Sequence, residues 1–182
     1  MRVRSTLITA SLVALRQVGV EERYFGALPQ ERHDELRSLV AGSWVPLELA
    51  TLHYSACDRL GLTSAELTRI GEDVSHRTQK SFVATLAKAS IAAGVSPWIL
   101  FSNARRIWER VFDGGDIASY KIGPKESYVE VAGCSLLALP YFRAAFRAYF
   151  RAVVALLSQV AYTTEVVAYG TESGAVFRFS WA

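Results

Sequence analysis

The sequence predicts an α+β fold, with about five or six helices packed on a small antiparallel sheet built from two β-hairpins. Three observations predict it. Apolar residues recur at helical spacing from the N-terminal region through "RRIWERVF". Alternation then takes over in "IASYKI" and "SYVEVAG" and returns in "AVFRFSW". Between these two regions, "PYFRAAFRAYFRAVV" goes back to the helical period. No low-complexity linker or long repeat divides the chain, so residues 1–182 read as a single domain.

The segment Val3 to Gln17 reads as a strand running into a helix. "GALPQERHDELRSLVAG" reads as one helix, with Pro29 early, Leu36, Leu39 and Val40 on one face, and Gly42 at its end. "SWVPLELATLHYSACDRLG" reads as another, with Pro46 in its first turn and Gly61 beyond its end. The longest helix opens on the capping box "TSAE", in which Thr63 accepts from a backbone N–H and Glu66 reaches back. Leu67, Ile70, Val74, Phe82, Leu86 and Ala89 give its buried stripe, and Gly94 is its expected stop. "SPWILFSNARRIWERVF" restarts with Ser96 as N-cap and Pro97 at the first helical position, and stops at "DGGD". "IASYKI" and "SYVEVAG" flank "GPKE" as a hairpin with a four-residue loop. Pro140 opens the aromatic helix, and "TTEVVAY", "GTESG" and "AVFRFSW" make the second hairpin. In its last strand Phe177, Phe179 and Trp181 share one face.

Composition narrows the function classes. The chain has 182 residues, 51% of them hydrophobic and 20% charged, enough to bury a core and too apolar for a disordered tail. A net charge of +3 falls short of a phosphate-binding surface. Cys57 and Cys134 form no CxxC pair and read as reduced core thiols, with a modification at Cys57 as the alternative. "STLITASLVAL" after Arg2 and Arg4 faintly resembles a secretory leader. It is interrupted by Thr9 and Ser11 and leads to Arg16 without a small-x-small site. No run approaches a membrane span, and a cytoplasmic location is expected.

"YFRAAFRAYFRAVV" has the look of a nucleic-acid stripe, rings alternating with arginines. Helical geometry separates the two. A four-residue step turns only about 40° around an α-helix, so Phe142, Phe146 and Phe150 form one slowly drifting stripe. That stripe continues into Val153, Leu156 and Leu157, as a core face does. Arg143, Arg147 and Arg151 border it, a solvated edge or a surface for an anionic partner. Nucleic-acid binding is not expected, since base-stacking rings would have to be exposed beside the arginines.

No catalytic signature is present. There is no GxSxG, no GxGxxG and no phosphate loop. His33, His53 and His76 are scattered without ligand spacing, so no metal site is expected. His76 lies in the polar middle of the long helix, where either a helix surface or a pocket-facing role fits, and Asp73 is spaced to orient its ring. Asp113 and Asp116 read as loop-organising residues. What exceeds background is the aromatic content, 12% including four Trp. Such a core can wall an apolar pocket, and Trp98, Phe101, Trp108, Phe142 and Phe146 are the wall candidates.

"GSWVPLEL", "RRIWERVFDGGDIASYKIGPKESYVEVAG", the aromatic helix after Pro140 and the terminal "FRFSW" resemble a paralogous family of myxobacterial proteins of about this length. That family is similar to the superfamily of heme nitric-oxide-binding domains, 4-vinyl reductase domains and TRAPP trafficking subunits. The resemblance spans nearly the whole chain and rests on structural motifs. It implies an α+β fold with a hairpin-built sheet and a hydrophobic pocket or channel, often dimeric, used for ligand sensing or assembly. The heme relatives carry a Tyr-x-Ser-x-Arg signature and a proximal His. "SYKIG" and "SYVEV" do not supply that signature, so no heme is expected. "YGTESGAVFRFSW" lacks the cysteines of the reductase type. The expected function is a non-enzymatic regulatory or sensory module for a small apolar ligand. The alternative is an assembly scaffold, a homodimer or one with a protein partner, with a filled core.

Overall fold

The computed structural model describes residues 1–78 and 96–182. Two antiparallel sheets and a set of helices share one apolar core. The chain enters through strand β1 (Arg2–Arg4) and passes directly into helix α1 (Ser5–Gln17), as expected for Val3 to Gln17. Leu7, Ile8, Ser11, Ala14 and Leu15 are buried, at the three- and four-residue spacing of an inward helix face. Helix α4 (Leu47–Asp58) buries Leu49, Ala50, His53, Tyr54 and Cys57 by the same rule.

Two expected helices are broken, each for a local reason. "GALPQERHDELRSLVAG" is interrupted at Pro29, whose ψ of 135° is extended. Helix α2 (Glu21–Gly26) ends before it, and a short turn (Gln30–Arg32) leads into α3 (His33–Arg37) after it. Leu36 stays buried, whereas Val40, past the helix end, is exposed. "SPWILFSNARRIWERVF" divides into α6 (Trp98–Ser102) and α7 (Ala104–Trp108). At the break, Asn103 Nδ2 donates to the Ile99 carbonyl at 2.9 Å, so its side chain competes with the helical backbone pattern.

Helix α5 (Ser64–Thr78) begins on the expected capping box, with Glu66 accepting from the Thr63 N–H at 2.8 Å and Thr63 Oγ1 accepting from the Glu66 N–H at 3.3 Å. Its continuation through Phe82, Leu86 and Ala89 to a stop at Gly94 lies outside the described residues. Helix α8 (Pro140–Ala155) has Pro140 in its first turn, and Asp58 at the end of α4 accepts from the Tyr141 N–H at 2.6 Å.

The larger sheet has the order β4-β5-β7-β6 and consists of two hairpins joined side by side. The first is β4 (Asp116–Gly123) with β5 (Glu126–Ala132), and the second β6 (Ala161–Glu165) with β7 (Ala175–Trp181). Gly123 pairs with Glu126, which shortens the first loop to Pro124 and Lys125. Strand β6 ends at Glu165, earlier than "TTEVVAY" suggests, and Val167–Tyr169 form a turn. Phe177, Phe179 and Trp181 face the core as their alternation requires. A second sheet, β2-β1-β3, joins β2 (Trp44–Pro46) and β3 (Phe112–Asp113) to the first strand. Three residues or fewer per flanking strand leave too little alternation to recognise in sequence.

Helices α5 and α8 cross closely, and Gly71 permits it. A Cβ at residue 71 would lie 2.4 Å from the Ala145 carbonyl oxygen and 2.7 Å from the Ala148 Cβ. Gly71→Ala is therefore expected to lower stability by about 1–3 kcal/mol through overpacking, even though alanine is the better helix former by ~1 kcal/mol. A lower urea midpoint at unchanged slope would show it, and an unchanged midpoint would refute it.

Candidate functional site

Helix α8 carries the centre of the molecule. Its rings join those of α6, α7 and β7 in a continuous aromatic chain. Trp98 lies 5.7 Å from Phe101, Phe101 5.5 Å from Phe179, and Phe179 5.9 Å from Phe150. Phe150 lies 4.7 Å from Phe146, which stacks on Phe142 at 5.3 Å and meets the edge of Trp108 at 6.2 Å. All five residues read from the sequence as wall candidates fall in this chain. The indole N–H groups of Trp98 and Trp108 are both satisfied, donating to the carbonyls of Pro124 and Gly114.

Among the described residues, two small apolar voids flank α8. The first, of about 30 Å³, lies among α1, α4, α5 and α8, walled by Leu7, Tyr54, Ile70, Val74, Phe142 and Phe146. The second, also about 30 Å³, lies on the other side, against Leu100, Phe101, Ile107, Phe150 and Val153. Tyr149 borders both. Each has room for about two or three small heavy atoms. Trp98 and Trp108 buttress the wall without reaching either void.

The first void has one polar corner, which sequence reasoning missed. Ser11 and Tyr141 line it and share a hydrogen bond of 3.1 Å. Behind them, His53 Nε2 lies 3.0 Å from Ser11 Oγ, and His53 Nδ1 lies 2.6 Å from the Tyr24 hydroxyl. Tyr24 is buried with no other hydrogen-bond partner among the described residues, so its hydroxyl donates to Nδ1. The imidazole then carries its proton on Nε2 and donates to Ser11. Burial holds His53 neutral, bringing it down to about 3. Burial also raises the Cys57 thiol, 3.9 Å from His53 Nε2, and pushes Cys134 up to about 11, so neither is a reactive thiolate. Tyr141 is raised well above its ordinary value for the same reason. The signal available in the sequence was the placement of His53 and Cys57 on the buried face of α4; their partners Tyr24, Ser11 and Tyr141 are far away in the chain.

The other sequence candidates lie outside this centre. His76 is exposed, and Asp73 pairs with Arg77 at 2.7 Å instead of orienting its ring. Arg143 is drawn inward, bonding the Leu137 and Thr171 carbonyls and pairing with Glu165 at 2.9 Å. Arg151 pairs with Glu72 on α5. Arg147 forms no ion pair among the described residues and is the one member of the basic edge left for an outside anion. Asp113 pairs with Arg2, and Asp116 accepts from the Ile117 N–H at 2.9 Å, both tying down the loop. No group of three or more His, Cys, Asp or Glu that could hold a metal ion exists among the described residues. No helix among them is long and apolar enough to cross a membrane.

No family model and no curated protein matches the chain. Solved structures do match in fold. An oxygen-binding H-NOX domain related to soluble guanylate cyclases superposes with a TM-score of 0.64 at 10% identity, covering 98% of this chain and 94% of its own. An unliganded iron(II) H-NOX variant from K. algicida gives 0.67 at 12% identity, over 98% and 96%. An H-NOX variant from T. Tengcongensis gives 0.65 at 9% identity, over 98% and 97%.

Heme, named together with the H-NOX family for one of these solved structures, does not fit the residues present here. The chain has three histidines. Both ring nitrogens of His53 are committed, His76 faces solvent, and His33 lies at the surface against Phe25 and the Leu28 carbonyl. The thiols and Tyr141 are held protonated, and residues 79–95 contribute no His, Cys, Met or Tyr. Among the described residues, the two voids beside α8 hold about 30 Å³ each, an order of magnitude below a porphyrin-sized pocket, and the larger clefts of about 250 and 410 Å³ lie away from the aromatic chain. The chain is thus folded like an H-NOX domain, and the described part of its centre is packed largely with its own aromatic rings.

Proposed function

We propose that this protein is a non-enzymatic, cytoplasmic sensory module that takes a small apolar molecule into the void between α1, α4, α5 and α8. The observation that carries the reading is the character of that void. Its walls are apolar, and its one polar corner, Ser11 and Tyr141, is already hydrogen-bonded. An apolar void of this kind stays dry and welcomes an apolar guest. Phe142 and Phe146 form the wall that a guest would press on. Because α8 also packs on β6 and β7, displacement of these rings would be transmitted to the sheet. The similarity to H-NOX domains supports a sensory role at the level of fold.

Methyl-resolved NMR under xenon pressure tests the reading. Saturable shifts are expected at Leu7, Ile70 and Val74, with a stoichiometry near one, and hemin is expected to form no stoichiometric complex. Absence of any saturable core shift would remove the ligand and favour a second reading, an assembly scaffold with a filled core. The close ring packing around Phe146 is the observation behind that alternative.

A further inference from the structure

The outer face of the four-stranded sheet is dominated by rings. Tyr120 is 51% exposed, Ile122 41% and Tyr162 62%. Tyr120 and Ile122 lie on one edge strand, β4, and Tyr162 on the other, β6, with β5 and β7 between them. Tyr120 lies opposite Tyr128, Tyr128 opposite Arg178, and Arg178 opposite Thr164, while Tyr162 sits one row away opposite Ser180. Large exposed side chains gathered on one face mark an interaction site in a way that scattered ones do not. The charge on this face argues against nucleic acid or an anionic membrane. It has one arginine, Arg178, held at 2.7 Å by Glu126, and a further carboxylate, Glu130, held by the Tyr120 hydroxyl at 3.2 Å. Tyrosine with few charges is the composition of a protein interface.

We propose that two copies of this chain pair face to face through the outer surface of the β4-β5-β7-β6 sheet, with Tyr120, Tyr128 and Tyr162 at the contact. Size and charge favour a second copy as the occupant. Four strands about 4.8 Å apart, two of seven residues, one of eight and one of five at ~3.3 Å each, present roughly 430 Å² in projection. Counted on both copies, with side-chain relief, this reaches the ~1,000 Å² that a specific interface needs. The charges become self-complementary if they exchange partners on pairing, Arg178 leaving Glu126 and Glu130 leaving the Tyr120 hydroxyl. Glu130 and Arg178 are diagonal neighbours on adjacent strands β5 and β7. A two-fold axis lying in the interface between them sets Arg178 of each copy over Glu130 of the other, as an isologous contact requires. The inference is independent of the core void, which opens on the opposite side of the sheet.

Sedimentation velocity on the full chain tests it. A reversible dimer is expected at concentrations up to about 100 µM, and Tyr120→Ser with Tyr162→Ser should raise its Kd by about tenfold or more. Both side chains are exposed, so the far-UV circular dichroism spectrum should not change. Arg178→Glu alone should weaken the dimer, and adding Glu130→Arg should recover most of the affinity. A monomeric wild-type chain would overturn the proposal, whether or not the face binds some other protein. So would a dimer indifferent to these four substitutions.

Discussion

Replacing Phe146 by alanine is expected to lower stability by about 3–5 kcal/mol while increasing affinity for small apolar guests. Phe146 is only 7% exposed and touches rings on every side, with Phe142, Phe150, Trp108, Phe112 and Phe177 all within 6.3 Å between centroids. Its removal forfeits transfer free energy and leaves a cavity that close-packed neighbours fill only in part. That cavity merges with the first void, which Phe146 already borders. Urea denaturation gives the cost, and xenon or benzene titration of the same variant gives the gain. Phe146→Leu should cost less than half as much and bind more weakly. A loss under about 1 kcal/mol would show that the ring is not held as described.

Acidification from pH 7 to pH 4 is expected to cost about 3 kcal/mol through His53 alone, of which about 2 kcal/mol is lost by pH 5. Its imidazole is 0% exposed, and burial lowers it from 6.5 to about 3. Above about pH 6.5 the ring is neutral in both folded and unfolded chains, and the stabilisation is fully present. Below that value the unfolded chain takes up a proton that the folded chain refuses, so stability falls until pH reaches about 3. Asp58, raised by burial, acts in the opposite sense, so the wild-type curve alone does not isolate the imidazole. His53→Gln does. It should be less stable at pH 7, because Tyr24 and Ser11 lose their partner, yet show a flatter dependence between pH 6.5 and 4. An unchanged slope in that variant would refute the assignment.

Both hairpins and most helix starts were legible because their signals are local. The capping box at Thr63 and Glu66, Pro140 in the first turn of its helix and the alternation of Phe177, Phe179 and Trp181 each act within a few residues. The two broken helices were missed although their causes are also local, because apolar spacing continued across Pro29 and Asn103 and masked them. The aromatic wall was readable as a set of rings. Its two voids were not, since a void is what remains after several elements have packed.

The sequence by itself determined the class of the fold, the inward face of the longer helices and hairpin strands and the separation of rings from arginines along α8, because the period of the apolar pattern reports which side meets the core. Tertiary structure decided everything that depends on which distant groups meet. Ser11 and Tyr141 are 130 residues apart, and Ser11 and His53 are 42 apart, yet they form one buried polar corner. Arg143 and Arg151 are tied down because Glu165 and Glu72 lie beside them in space. Such pairings have no period, so only the packed chain reveals them.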